Sequence, residues 1–145
     1  MKKIFALICL LFLTACSALT NPPASTDSAK NVPFLTYTRS GGFAGVNESW
    51  KIYNDGRVVA ENGAEKQADP QAVQELLEQV GKTDLAGLSK ITPIPGVCAD
   101  CFNIELVFND GGRETRLSVV PESQSADPAA VNVVDMVQKV IDSAQ

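Results

Sequence analysis

Four cysteines are the most reactive side chains in this sequence, and their settings assign them different fates. Cys16 closes the run Leu13-Thr14-Ala15-Cys16, which follows Lys2, Lys3 and an apolar stretch from Ile4 to Leu13. A positive start, an apolar run too short to span a bilayer and small residues before a cysteine fit a bacterial lipobox. Residues 1–15 are therefore expected to be a lipoprotein signal peptide. Cleavage before Cys16 would discard Cys9, and Cys16 would carry the acyl chains that tie the protein to a membrane. Two or more chains are needed for stable anchoring. Ser17 follows the lipidated cysteine; the absence of Asp there favours the outer membrane where the cell has one.

Cys98 and Cys101 remain, in Gly96-Val97-Cys98-Ala99-Asp100-Cys101-Phe102, in an oxidising compartment. A local disulfide, a redox-active pair, half of a metal site and two free thiols are the competing readings. A thioredoxin-type pair opens a helix, whose N-terminus lowers the thiol pKa. Cys101 instead runs into Phe102-Asn103-Ile104-Glu105-Leu106-Val107-Phe108, a strand pattern. A metal site needs further soft ligands, and the mature chain has no other free thiol and no histidine. A structural disulfide between Cys98 and Cys101, fixing the entry of that strand, is the reading adopted, with no metal and no cofactor.

The rest of the chemical inventory is sparse. The absence of histidine excludes Ser-His-Asp and Cys-His catalysis. Glu48, Asp100 and Glu105 stand in no acid/base spacing, no serine sits in a nucleophile elbow, and Asp110 lacks the carboxylate density of a calcium loop. No enzyme activity is expected. The 145 residues carry 12 basic and 17 acidic side chains, a net charge of −5, and loss of Lys2 and Lys3 with the signal peptide takes this to −7. An acidic chain is a poor nucleic-acid binder and does not hold anionic lipid by charge. Arg39, Arg57, Arg113 and Arg116 either form a small basic patch on an open sheet face or, the reading preferred, pair across strands with Glu48, Glu61, Glu105 or Glu114. Trp50 and Tyr37 are read as core or sheet-face residues, with carbohydrate stacking the minor alternative.

These groups must be held by one modest domain. Residues 16–32, with Asn21-Pro22-Pro23-Ala24-Ser25-Thr26-Asp27-Ser28, have few large apolar side chains and read as a lipidated flexible tether. Residues 33–145 supply the folded part. Strands are expected over 34–39, 46–53, 57–61, 102–108 and 113–120, with Asn-Asp-Gly hairpin signals at 54–56 and 109–111. Asp69-Pro70 and Asp127-Pro128 read as helix starts. The first helix has the stripe Val73, Leu76, Leu77 and Val80, with Gly81 at its C-cap and a short further turn at Leu85 and Leu88. The second has Ala130, Val133, Val134, Val137, Val140 and Ile141. The repeated order of Asn-Asp-Gly and Ala-Asp-Pro suggests two ββα units. The expected fold is α+β: an antiparallel sheet of about five strands with two helices on one face.

The segment Ser40-Gly41-Gly42-Phe43-Ala44-Gly45 breaks the first two strands apart. It lacks the setting of a phosphate cradle, which opens a helix. One reading tucks Phe43 into the core beneath a wide turn; the other presents it to a partner at a mobile tip. The longer run Thr38-Arg39-Ser40-Gly41-Gly42-Phe43-Ala44-Gly45-Val46 resembles the opening motif of the emfourins, small protein inhibitors of thermolysin-like metalloproteases, and of exported relatives. Arg39–Gly45 is the specific part, and a compatible order of elements extends over about 110 residues. The lipobox, the tether and Cys98/Cys101 lie outside the inhibitor pattern. The resemblance implies a binding module whose loop, with Arg39, Ser40, Gly41, Gly42, Phe43 and Gly45, enters or caps a protease cleft. The alternative is a structural or assembly lipoprotein of the cell envelope that docks through its open sheet face and inhibits nothing.

Overall fold

The computed structural model describes residues 31–91 and 100–145. The signal peptide, Cys16, Ser17, nearly all of the tether and Cys98 lie outside the described residues.

Nine elements follow in chain order: β1 (Leu35–Gly41), β2 (Val46–Ile52), β3 (Arg57–Ala60), β4 (Glu65–Gln67), α1 (Pro70–Lys82), α2 (Leu85–Leu88), β5 (Phe102–Asp110), β6 (Arg113–Val119) and α3 (Pro128–Ser143). The strands form one sheet in the order β4-β3-β2-β1-β5-β6, every pair antiparallel. The expected α+β architecture is present, with six strands rather than five and three helices rather than two. The extra strand, β4, is Glu-Lys-Gln with every side chain exposed, so it carries no alternation to read. The third helix is the single turn at Leu85 and Leu88.

Alternation along the strands sets two faces. On one, register aligns Leu35 with Ile52 and Phe108, and Tyr37 with Trp50 and Leu106. Val58 stands opposite Ile52, and Leu117 opposite Leu106. This face is the core, closed by Ala72, Val73 and Leu76 of α1 and by Ala130, Val133, Val134, Val137 and Val140 of α3. Fully burying a Leu, Ile or Val stabilises the fold by ~1.5–3 kcal/mol. That is what keeps the valine-rich α3 helical, since valine has weak helix propensity.

Both long helices start as their sequence requires. Asp69 accepts from the Gln71 N–H at 2.8 Å and Asp127 from the Ala129 N–H at 2.8 Å, each followed by a proline whose missing N–H is no loss in a first turn. Two details of α1 differ from expectation. Leu77 is 38% exposed, because the packed stripe is narrower than the apolar one. The helix also runs through Gly81 to Lys82 and is capped by extended Thr83, whose hydroxyl bonds the Gln79 carbonyl at 2.8 Å and replaces a glycine cap. Lys139 of α3 reaches Glu75 of α1 at 2.6 Å and holds the Glu75 carboxyl below its usual range.

The two ββα segments are not a structural repeat. β2 and β5 both run antiparallel to β1 and therefore parallel to each other. From them, β3 lies one step to one side and β6 one step to the other, while α1 and α3 cover the same face. The two units have opposite hand, and no rotation superposes them. Their shared Asn-Asp-Gly and Asp-Pro signals reflect the few residues suited to tight turns and helix starts.

Candidate functional site

The Gly-rich segment is the tip of the β1–β2 hairpin. The Gly45 N–H donates to the Gly42 carbonyl at 3.0 Å, which places Phe43 and Ala44 at the corners of a turn. Phe43 is 95% exposed, so the reading that tucks it into the core is overturned: the turn projects beyond the paired residues of both strands. A fully solvated phenyl ring costs transfer free energy that a core position would recover.

The base of the tip is fixed from β5. Register places Gly41 opposite Phe102, and the Gly42 N–H donates to the Cys101 carbonyl at 3.2 Å. Gly42 needs to be glycine for two reasons: its φ is +69°, and a Cβ there would lie 2.8 Å from the Phe102 ring. Cys101 is disulfide-bonded; Cys98, its expected partner, lies outside the described residues. The floor that Cys101 and Phe102 provide was not legible in the sequence. It depends on a register between strands some sixty positions apart, with no local signal.

The other residues assigned to this loop divide by face. Arg39 points to the helix side, where its guanidinium carbon lies 4.4 Å from the centre of the Phe102 ring and its Nε 3.6 Å from Glu48 Oε2. It braces the base of the hairpin, with its side chain 31% exposed. Ser40 lies on the open face, its Oγ 3.5 Å from the Asn103 carbonyl. Gly41, Gly42, Phe43 and Gly45 are the part of the motif that forms the tip. Below Arg39, the Tyr37 ring packs against Trp50 with centroids 5.5 Å apart, and its hydroxyl donates to Gln138 Oε1 at 3.2 Å. Burial, the largest influence on it, pushes the Tyr37 phenol above its ordinary pKa.

The four arginines do not gather into a patch. Arg39 and Arg113 register with the helix-side face, while Arg57 and Arg116 lie on opposite halves of the open face. Arg39 pairs with Glu48 and Arg116 with Glu105 and Glu114. Arg57 pairs with Asp55 and Glu65.

A cleft of about 490 Å³ opens at the far end of the sheet, lined by Phe34, Leu77, Val80, Leu85, Phe108 and Arg113 among others. Asp84 and Asp110 are the carboxylates in its lining. Among the described residues there is no group of three or more Cys, Asp or Glu placed to hold a metal ion, and no helix is long and apolar enough to cross a membrane. Compared with known families, curated proteins and solved structures, the chain matches no family model, no curated protein and no solved structure.

Proposed function

We propose that this chain is a lipid-anchored, exported binding module of the bacterial cell envelope, and that it engages a protein partner by inserting the Phe43 tip into a cleft. The observation that carries this reading is the 95% exposure of Phe43 on a turn whose base is anchored to β5. An exposed aromatic on a preorganised turn gains apolar burial on binding without a large ordering cost. The placement of the tip supports the same reading. β1 begins beside the expected tether and ends at the tip, so seven residues of strand separate the two by roughly 20 Å. A chain anchored at Cys16 would hold the tip away from its own membrane attachment.

A thermolysin-like metalloprotease is the partner that the resemblance at Arg39–Gly45 implies, and it is the first to test. Residues 33–145 are titrated against such a protease while cleavage of a small fluorogenic substrate is followed. Saturable inhibition near one-to-one stoichiometry, weakened by Phe43→Ala, is the expected result. Absence of inhibition, or digestion of the domain, would remove the protease and leave the tip in search of another cleft.

The open sheet face supports a second reading, a structural or assembly lipoprotein. It carries Thr36, Thr38, Ser49, Asn103 and Ser118 on the side away from both long helices. Photo-crosslinkers placed in turn at Phe43 and at Ser49 in intact envelopes separate the two: the productive position identifies the docking surface.

A further inference from the structure

The two edges of the sheet are finished differently. At β4 the strand is three residues long, and Gln67 exchanges backbone hydrogen bonds with Gln145, at 3.3 Å and 3.1 Å. The backbone of Gln145 thus covers that edge at Gln67. β6 is seven residues long, and among the described residues no backbone group bonds to its outer side. A strand edge of that length, open among the described residues, is a template for another strand.

The side chains beside the edge select what can pair there. Glu114, Arg116 and Ser118 project on the open face, while Leu117 and Val119 are buried on the other. Glu114 and Arg116 are each 61% exposed and stand two residues apart on one face. In an antiparallel ladder, directly opposed residues share a face with Cα atoms ~4.5–5.5 Å apart. Two β6 strands related by a two-fold axis at Thr115 would set each Glu114 opposite the Arg116 of the other copy. A two-fold axis at Arg116 would oppose two arginines, and one at Glu114 two glutamates. The charges that discourage indiscriminate pairing therefore admit this register.

We infer that β6 is a self-association edge, through which two copies of the chain pair antiparallel about Thr115 and join their sheets. In the pair, Arg116 keeps its bond to Glu105 of its own β5 and exchanges its 3.9 Å contact with Glu114 of its own strand for the facing Glu114. The inference is independent of the Phe43 tip, which lies at a separate hairpin.

Sedimentation of residues 31–145, which hold every core residue from Phe34 to Val140, tests it at about 0.15 M salt, where exposed charges act over less than ~10 Å. The wild-type chain is expected to shift from monomer to dimer as concentration rises. Glu114→Arg and Arg116→Glu should each raise the dissociation constant about tenfold or more, because like charges then face each other. An equimolar mixture of the two variants should form a heterodimer, and the double variant should recover self-pairing. Thermal midpoints measured alongside show that each variant is folded. A wild-type chain still monomeric at about 1 mM would overturn the inference. So would a dimer indifferent to both reversals, or single variants that mixing fails to rescue.

Discussion

At one end of β2 the chain turns through Gly42–Gly45, and at the other through Asn54–Gly56. The second turn is wired into the body of the domain. Gly56 is buried with φ +85°, its N–H donates to the Tyr53 carbonyl, and its own carbonyl accepts from Ala68, both at 2.9 Å. The Gln67 side-chain amide donates to the Asp55 carbonyl at 2.8 Å. Arg57 stacks 4.2 Å from the Tyr53 ring centre and bonds Asp55 at 2.9 Å. Among the described residues, the first turn is tied down at its base alone, through Gly42 to Cys101 and Phe102. Its corner residues reach into water. Both turns rely on glycine, yet in one it lets the chain pack against its neighbours, and in the other it lifts an aromatic side chain away from them.

That contrast can be broken at either turn. The largest effect is expected from Gly56→Val, which puts a branched side chain at positive φ and sets its Cβ 2.5 Å from the Gln67 amide nitrogen. A loss of ~2–4 kcal/mol in denaturant unfolding is expected; a loss below 1 kcal/mol would show that the wiring around this turn is dispensable. Phe43→Ala should do the reverse. Affinity for the partner falls by ~2 kcal/mol or more, as for a buried aromatic anchor, while stability moves by less than ~0.5 kcal/mol. Comparable losses in both would make Phe43 a folding residue.

Gly42→Val sharpens the comparison from the middle. Its Cβ would press on the Phe102 ring, so about 1–2 kcal/mol of stability should be lost together with binding. Rescue of stability by Phe102→Ala in the same chain would locate the strain at that contact.

The smallest effect is a pH dependence confined to the wired turn and the helix pair. Burial would raise the Asp55 carboxyl, but the side-chain and backbone bonds from Arg57 together outweigh it and leave the carboxyl below its ordinary range. Glu75 is lowered by Lys139 first and Gln71 second. A carboxyl depressed in the folded state contributes stability that is present above its unfolded pKa and lost as pH falls through the folded value. The thermal midpoint should therefore decline gently below about pH 4, and Asp55→Asn should flatten part of that decline. The Gly42–Gly45 turn contains no carboxylate and should keep its conformation, read from its amide resonances, until the domain itself unfolds.

The sequence by itself determined the elements whose signals are local. Alternation from Phe102 to Phe108 set the buried face of β5, and the two Asp-Pro starts placed α1 and α3, because a cap and its first turn are four neighbouring residues. It also supplied the tip motif, glycines flanking an aromatic, while leaving the direction of that aromatic open. Tertiary structure decided what depends on register and hand. Gly41 meets Phe102 because β1 takes its place between β2 and β5, and that pairing lifts Phe43 clear of the core. β4 exists because β3 presents an edge to a segment with no hydrophobic pattern of its own. The opposite hand of the two ββα segments follows from which side of the central strands β3 and β6 occupy. Adjacent residues encode a turn or a cap through their own φ and side-chain hydrogen bonds, whereas the order of strands is a property of the closed core and is written in no single segment.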